Sequence, residues 1–234
     1  TFDEPSYRWN SAYDLYWKDK HTHIDVYGYY PFADPESVDD YQFEVKRDQS
    51  KPSENGEMGG YEASDFLWGK VADVAPTTSV IRLPMKHRMA NARVTLVEGS
   101  GFAAGEWAGT EKTVLAPNLI RKASINLADG TVTANGSVEA TATMPSRSGN
   151  EWRAIVVPQT VKAGETLFSI TIGGVPYKFA KNEAFTYMPG KMSNFSIRVD
   201  KKAGSGQYQL TLISESITPW ENDLVSHNAT AKEY

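Results

Sequence analysis

Between Phe185 and Asp200 the chain reads Phe-Thr-Tyr-Met-Pro-Gly-Lys-Met-Ser-Asn-Phe-Ser-Ile-Arg-Val-Asp. Phe195, Ile197 and Val199 alternate there with Ser196 and Arg198. A period of two is that of a strand with one buried and one wet face, and it excludes a helix over the same residues. Pro189-Gly190 punctuates the run: proline sets one dihedral and glycine permits a positive one. The same period recurs along the chain. Phe168, Ile170 and Ile172 alternate with Ser169 and Thr171, and Gly173-Gly174 then joins them to a second run from Val175 to Ala180, as in a tight hairpin. Ile125 and Leu127 lead through Asp129-Gly130 to Val132 and Ala134, a second hairpin. Further alternation runs through Val138, Ala140, Ala142 and Met144, and through Tyr208, Leu210 and Leu212. Strands are also expected at 24–30, 42–45, 80–83, 92–96 and 153–157.

Helical period is scarce. The best short-helix segment is 63–69, with Ser64 as cap and Gly69 as stop. Without long amphipathic helices between strands, parallel βαβ units are excluded, and many short strands with frequent turns point to β-sandwiches. Residues 48–60, with Lys51-Pro52, Asn55-Gly56 and Gly59-Gly60, read as a long loop. A second break near Pro76 sets the expected division into domains 1–78 and 79–234.

The net charge of −5 argues against nucleic acid as the main partner, because phosphate binding needs a basic surface. No apolar run reaches the length of about 18 residues that spans a bilayer as a helix. The absence of cysteine removes disulfide and thiol chemistry. No Gly-x-Ser-x-Gly elbow, His-Glu-x-x-His pair or phosphate-binding glycine loop is present, so no cofactor is expected.

Two groups of side chains could carry chemistry. His21, His23 and Asp25 would share one face of a strand, and two imidazoles with a carboxylate can hold a metal. The competing reading makes them the solvent side of a strand whose Ile24 and Val26 face inward. It is favoured because no cysteine and no second histidine cluster complete the ligand set. Trp9, Tyr13, Tyr16, Trp17, Tyr27, Tyr29 and Tyr30 could stack on sugars, but aromatic clusters more often fill cores.

Several segments, in order, resemble one family. They are Asp25-Val-Tyr-Gly-Tyr-Tyr-Pro-Phe32, the run 41–50 closing on Asp48-Gln49-Ser50, and Asp65-Phe66-Leu67-Trp68-Gly69. They continue with the region of His87, Met89 and Ala90, then Arg153-Ala-Ile-Val-Val-Pro-Gln159, the Phe185–Asp200 run, and Ile217-Thr218-Pro219-Trp220. Together they resemble the fimbrillin-like proteins, a pilin superfamily of outer-surface fimbriae in Gram-negative gut and oral anaerobes. The resemblance implies an all-β fold of two transthyretin-like β-sandwich domains. It implies a non-enzymatic subunit of a surface fimbrium, in a stalk, tip or anchor role, exported to the outer membrane and usually a lipoprotein. Its partners would be other pilin subunits, joined when an extended segment of one fills a groove in the next. We expect the first domain to lack its first strands, with any leader or lipid-anchor cysteine upstream of Thr1. The donor segment would be either that upstream piece or residues 224–234. The rival functions are a monomeric sugar- or protein-binding module of the same fold, and a metal-dependent enzyme using His21, His23 and Asp25.

Overall fold

The computed structural model describes residues 16–220, together with the backbone of two short paired strands, β1 (Phe2–Asp3) and β2 (Arg8–Trp9). The expectations for Tyr13, the Trp9 side chain and residues 224–234 lie outside the described residues. The first half of the chain holds β3 (Ile24–Tyr30), β4 (Tyr41–Glu44), β5 (Leu67–Val74), β6 (Lys86–His87), β7 (Ala90–Glu98) and β8 (Lys112–Leu115). It continues with β9 (Lys122–Asn126), β10 (Thr131–Ala134), β11 (Ser146–Ser148) and β12 (Glu151–Val156). The last part holds β13 (Gln159–Val161), β14 (Thr166–Ile172), β15 (Val175–Ala180), β16 (Phe185–Tyr187), β17 (Lys191–Lys201) and β18 (Tyr208–Pro219). Helix is confined, among the described residues, to α1 (Glu106–Gly109) and a 3-10 turn at Glu62–Ser64. The fold is all-β.

Both glycine hairpins form where their turn residues demand them. Gly173 and Gly174 take φ of 55° and 82°, which L side chains rarely adopt, and they close β14 on β15 with Ile172 opposite Val175. At the β9–β10 turn the Asp129 carboxylate accepts the Thr131 amide at 2.8 Å.

Two apolar cores result. The larger lies between the five-stranded sheet β11-β12-β7-β17-β18 and the three-stranded sheet β15-β14-β8, with the pair β13–β16 beside them. Val94 and Leu96 from β7, Ile197 and Val199 from β17, and Ile170 and Ile172 from β14 are all buried in it. The smaller core lies between β3-β5-β6 and β10-β9-β4, around Phe43, Phe66, Trp68 and Ile125. β4 pairs with β9, Phe43 opposite Ala123, so chain from beyond residue 78 returns to the sheet that begins before it.

The cores share a strand. Trp152, Ala154 and Val156 of β12 point into the larger core, and Ile155 and the following Val157 into the smaller one. At that crossing the buried side chain of Gln49 does what a neighbouring strand would do. Its Oε1 accepts the Ile155 amide at 2.8 Å, and its Nε2 donates to the carbonyls of Ile155 and Lys46 at 2.8 and 3.0 Å. Gln159 repeats the device on Ile120, accepting its amide at 2.8 Å and donating to its carbonyl at 2.9 Å.

The Phe185–Asp200 run proves to be a corner between sheets. Phe185–Tyr187 pairs with β13, while the residues after Gly190 enter the five-stranded sheet, parallel to β7 and antiparallel to β18. Gly190, at φ 63°, donates its amide to the Met89 carbonyl at 2.8 Å and thereby fastens the corner to the start of β7.

Three expected elements do not form. Residues 63–69 are not a helix: Gly69 sits inside β5, opposite Gly28, and Ser64 is buried with its hydroxyl on the Gly60 carbonyl. The space left by both glycines is filled by Leu83, Met85 and the Pro84 carbonyl, so residues 80–83 cross the sheet face as a strap and are not a strand. The alternation from Val138 to Met144 yields only isolated bridges of Thr143 to Ala116 and Met144 to Asp48. Its alanines offer too little apolar area to hold a strand against a core.

Four turn carboxylates are held below their ordinary value near 3.8. The causes are the Thr22 hydroxyl at Asp19, the Ser50 hydroxyl at Asp48, the Thr131 amide at Asp129 and the Ser100 amide at Asp200. A carboxyl depressed on folding stabilises the fold above its unfolded value, and that contribution is lost as pH falls through the folded one. The thermal unfolding midpoint should therefore fall with pH below about 4, and fall less when these four are Asn. An equal fall in both proteins would show that the turns do not contribute.

Candidate functional site

The three histidine–aspartate candidates are not brought together as a ligand set. His21 precedes β3, and its backbone amide donates to Asp19 at 2.7 Å. The imidazole of His23 meets Asp73 at 2.8 Å. Asp25 is held by the Lys70 ammonium at 2.8 Å and by the Asp73 amide at 2.9 Å, and both keep its carboxyl below the usual range. Among the described residues no group of three His, Cys, Asp or Glu side chains converges as a metal site would require.

The aromatic residues divide between inside and outside. Tyr29 joins the smaller core, its ring stacked on Phe66 at 6.2 Å and its hydroxyl on the Ala33 carbonyl at 2.6 Å. Tyr27 leans on Trp68 at 6.5 Å under the Lys70 ammonium and stays exposed. Trp17 spends its indole N–H on the Thr77 carbonyl. Tyr30 is exposed with its hydroxyl against Met58, and Phe32 is almost fully exposed. Trp17, Tyr27, Tyr29 and Tyr30 thus do not form one stacking surface, and Tyr29 takes the core packing that the sequence favoured.

The sheet edges are the better-defined surface. β3 is the outermost strand of its sheet and β4 of the facing one, and Tyr29 meets Tyr41 between them at 6.1 Å. No described strand pairs with the outer side of either. Ile24, Tyr27 and Tyr30 are exposed along β3, so this side of the smaller core presents backbone groups and apolar side chains together. A strand added there would gain both hydrogen bonds and burial.

Two contacts went unread in the sequence: His87 and Trp220 were visible only as separate landmarks 133 residues apart, and Lys112 shows no pattern that marks a buried cation. The nearly buried His87 ring lies flat on Trp220, 3.8 Å away and 3° from parallel, with its Nδ1 on Asp65 at 2.8 Å. This stack ties the end of β18 to the smaller core. Replacing Trp220 by Ala should cost about 1–2 kcal/mol of stability in urea unfolding; an unchanged midpoint would show the stack to be idle. Lys112 is buried with its ammonium on the carbonyls of Trp107 and Thr110 and over the Trp107 ring at 4.1 Å, and burial pushes its pKa down. It fastens the end of α1.

A profile of the fimbrillin-like family matches residues 3–220. No curated protein matches the sequence at a significant level. Among solved structures, a candidate cell adhesion protein of Bacteroides uniformis superposes with a TM-score of 0.63 at 15% identity, over 88% of this chain and 77% of that one. Another, of Bacteroides ovatus, gives 0.65 at 14% identity, over 93% and 75%. A third, of Bacteroides thetaiotaomicron, gives 0.50 at 21%, over 78% and 68%. At such identities the likeness speaks for the fold.

Proposed function

The chain belongs to the fimbrillin-like family, and from that premise we infer that it is a pilin-like adhesion subunit of a cell-surface fimbrium that joins its neighbours by strand addition. The observation that carries the assembly step is the pair of outermost strands β3 and β4, which leave one side of the smaller core open among the described residues. A segment from a neighbouring subunit would lie along β3, its backbone bonding the strand and its alternate side chains covering Tyr27 and Ile24. Membership of a family of surface structural proteins also favours a non-enzymatic role. In this reading the division at residue 78 separates the acceptor unit from the C-terminal one, with Lys122–Asn126 and Thr131–Ala134 returning to the former. The same reading takes the chain to be exported and held at the outer membrane through a lipid anchor.

A labelled peptide of residues 224–234 should bind the chain saturably. Val26→Pro, which disturbs the backbone of the β3 edge, should abolish binding while the fold is kept by circular dichroism. Absence of both peptide binding and polymers after N-terminal trimming would sink strand addition. The exposed Tyr30 and Phe32 favour a second reading, a monomeric ligand-binding module. It would be preferred if a glycan array gave a hit that Phe32→Ala removed.

A further inference from the structure

β18 is the longest of the described strands, with 12 residues, and it is outermost in the five-stranded sheet. Its inner side pairs with β17; no described strand pairs with its outer side. Apart from β3, the outermost strands of the larger sheets are blunted in the ways proteins use against unwanted pairing. β15 carries Pro176 and Lys178, β11 has three residues, and β4, β8 and β10 have four each. From Tyr208 to Thr218, β18 has no Lys, Arg or Pro. Its one charge, Glu215, is already paired with Lys181 at 2.8 Å. Leu212, Ile213 and Ile217 are exposed along it.

The bulge in β18 decides what can pair with it. Ser196 faces Ser214 and Ile197 faces Leu212, so Ile213 is the extra residue. Before the bulge, Tyr208, Leu210 and Leu212 stand on the core face, opposite Lys201, Val199 and Ile197. After it, Glu215, Ile217 and Pro219 stand on that face, opposite Phe195, Ser193 and Lys191. The core-face positions are therefore symmetric about the point between Ile213 and Ser214. Two regular strands could not pair in this register, because directly opposite residues share a face and the faces would conflict. The bulge removes the conflict. Laid antiparallel on a copy of itself, β18 sets Leu210 against Ile217 and Leu212 against Glu215 on the core face. On the outer face it sets Thr211 against Ser216 and Gln209 against Thr218. Leu210 meets Ile217 and Thr211 meets Ser216, and each Glu215 brings its own lysine, so no bare like charges meet.

We propose that the outer edge of β18 pairs with the same edge of a second copy of this chain, giving a two-fold dimer with one continuous ten-stranded sheet. The contact is isologous and closes on itself, whereas addition at β3 is head-to-tail and propagates. It would join subunits or filaments side by side.

Sedimentation of the full chain over a wide concentration range should show a reversible monomer–dimer equilibrium. Ile213→Lys sets two ammonium groups near the axis and should weaken it at least about tenfold, with Val26→Pro at the other edge leaving it unchanged. The chain has no cysteine, so single cysteines report the register. Ser214→Cys should link two copies by disulfide under mild oxidation. Ser216→Cys should not, because its partner across the axis is Thr211 and its own copy is beyond disulfide reach. A chain monomeric at every concentration overturns the proposal, as does equal linking at both positions. Pairing of β18 with another segment of the chain would be seen as the first of these outcomes.

Discussion

Gln49→Ala should cost about 3 kcal/mol of unfolding free energy, far more than the loss of a surface glutamine. The Gln49 side chain is buried and makes three hydrogen bonds to backbone, two of them to Ile155. Its removal leaves the amide and carbonyl of Ile155 without a partner between two apolar cores. Each such group costs about 1–3 kcal/mol. Alanine also leaves a gap of several heavy atoms beside Ile155, which adds to the loss. Gln49→Met fills the gap without restoring the bonds, so it should recover only the packing part. Urea unfolding with an unchanged slope reads the effect as a shift in midpoint. A loss below about 1 kcal/mol would mean that water replaces the side chain and that Gln49 is not needed at the crossing.

Phe195→Ala should cost about 4 kcal/mol, the larger of the two. The ring is buried where β17 meets the layer opposite, with the rings of Phe168 and Phe185 each 5.2 Å away and that of Phe179 at 6.0 Å. Edge-to-face contacts add to the area that leaves water. Both sheets contribute to this cluster, so neither can move alone to fill the space. Phe179→Ala, from the outermost strand β15 and only half-buried, should cost less, about 2 kcal/mol. If Phe179 mattered as much as Phe195, the cluster would not be centred on β17.

The strands that could be read from the sequence are those whose apolar residues are large and whose turns contain glycine. The β14–β15 and β9–β10 hairpins and the Phe195 strand are of this kind, because local turn chemistry and a period of two agree. Val138 to Met144 shows that alternation alone is insufficient when half of the apolar side chains are alanine. Leu83 shows the converse: an apolar residue in a β-prone run is drawn to a hollow made by Gly28 and Gly69, which no window of neighbouring residues reveals. Gln49 was visible as part of a motif but its role was not, since that role is defined by Ile155 far along the chain. The candidate chemistry was legible only as types of residue. Lys70 and Asp73, which engage Asp25 and His23, belong to β5, and their approach follows from the β3–β5 pairing.

The five-stranded sheet sets a timetable. β7 is made early, yet its parallel neighbour is β17, with Asn91 opposite Met192, and among the described strands only β18 follows β17. The ladder that closes the larger core must therefore wait until residues up to 201 are present. Contacts so distant along the chain form slowly, because a long loop has to close before they offer any return. Until β17 has been laid between β7 and β18, the larger core stays incomplete, whatever the earlier strands have done.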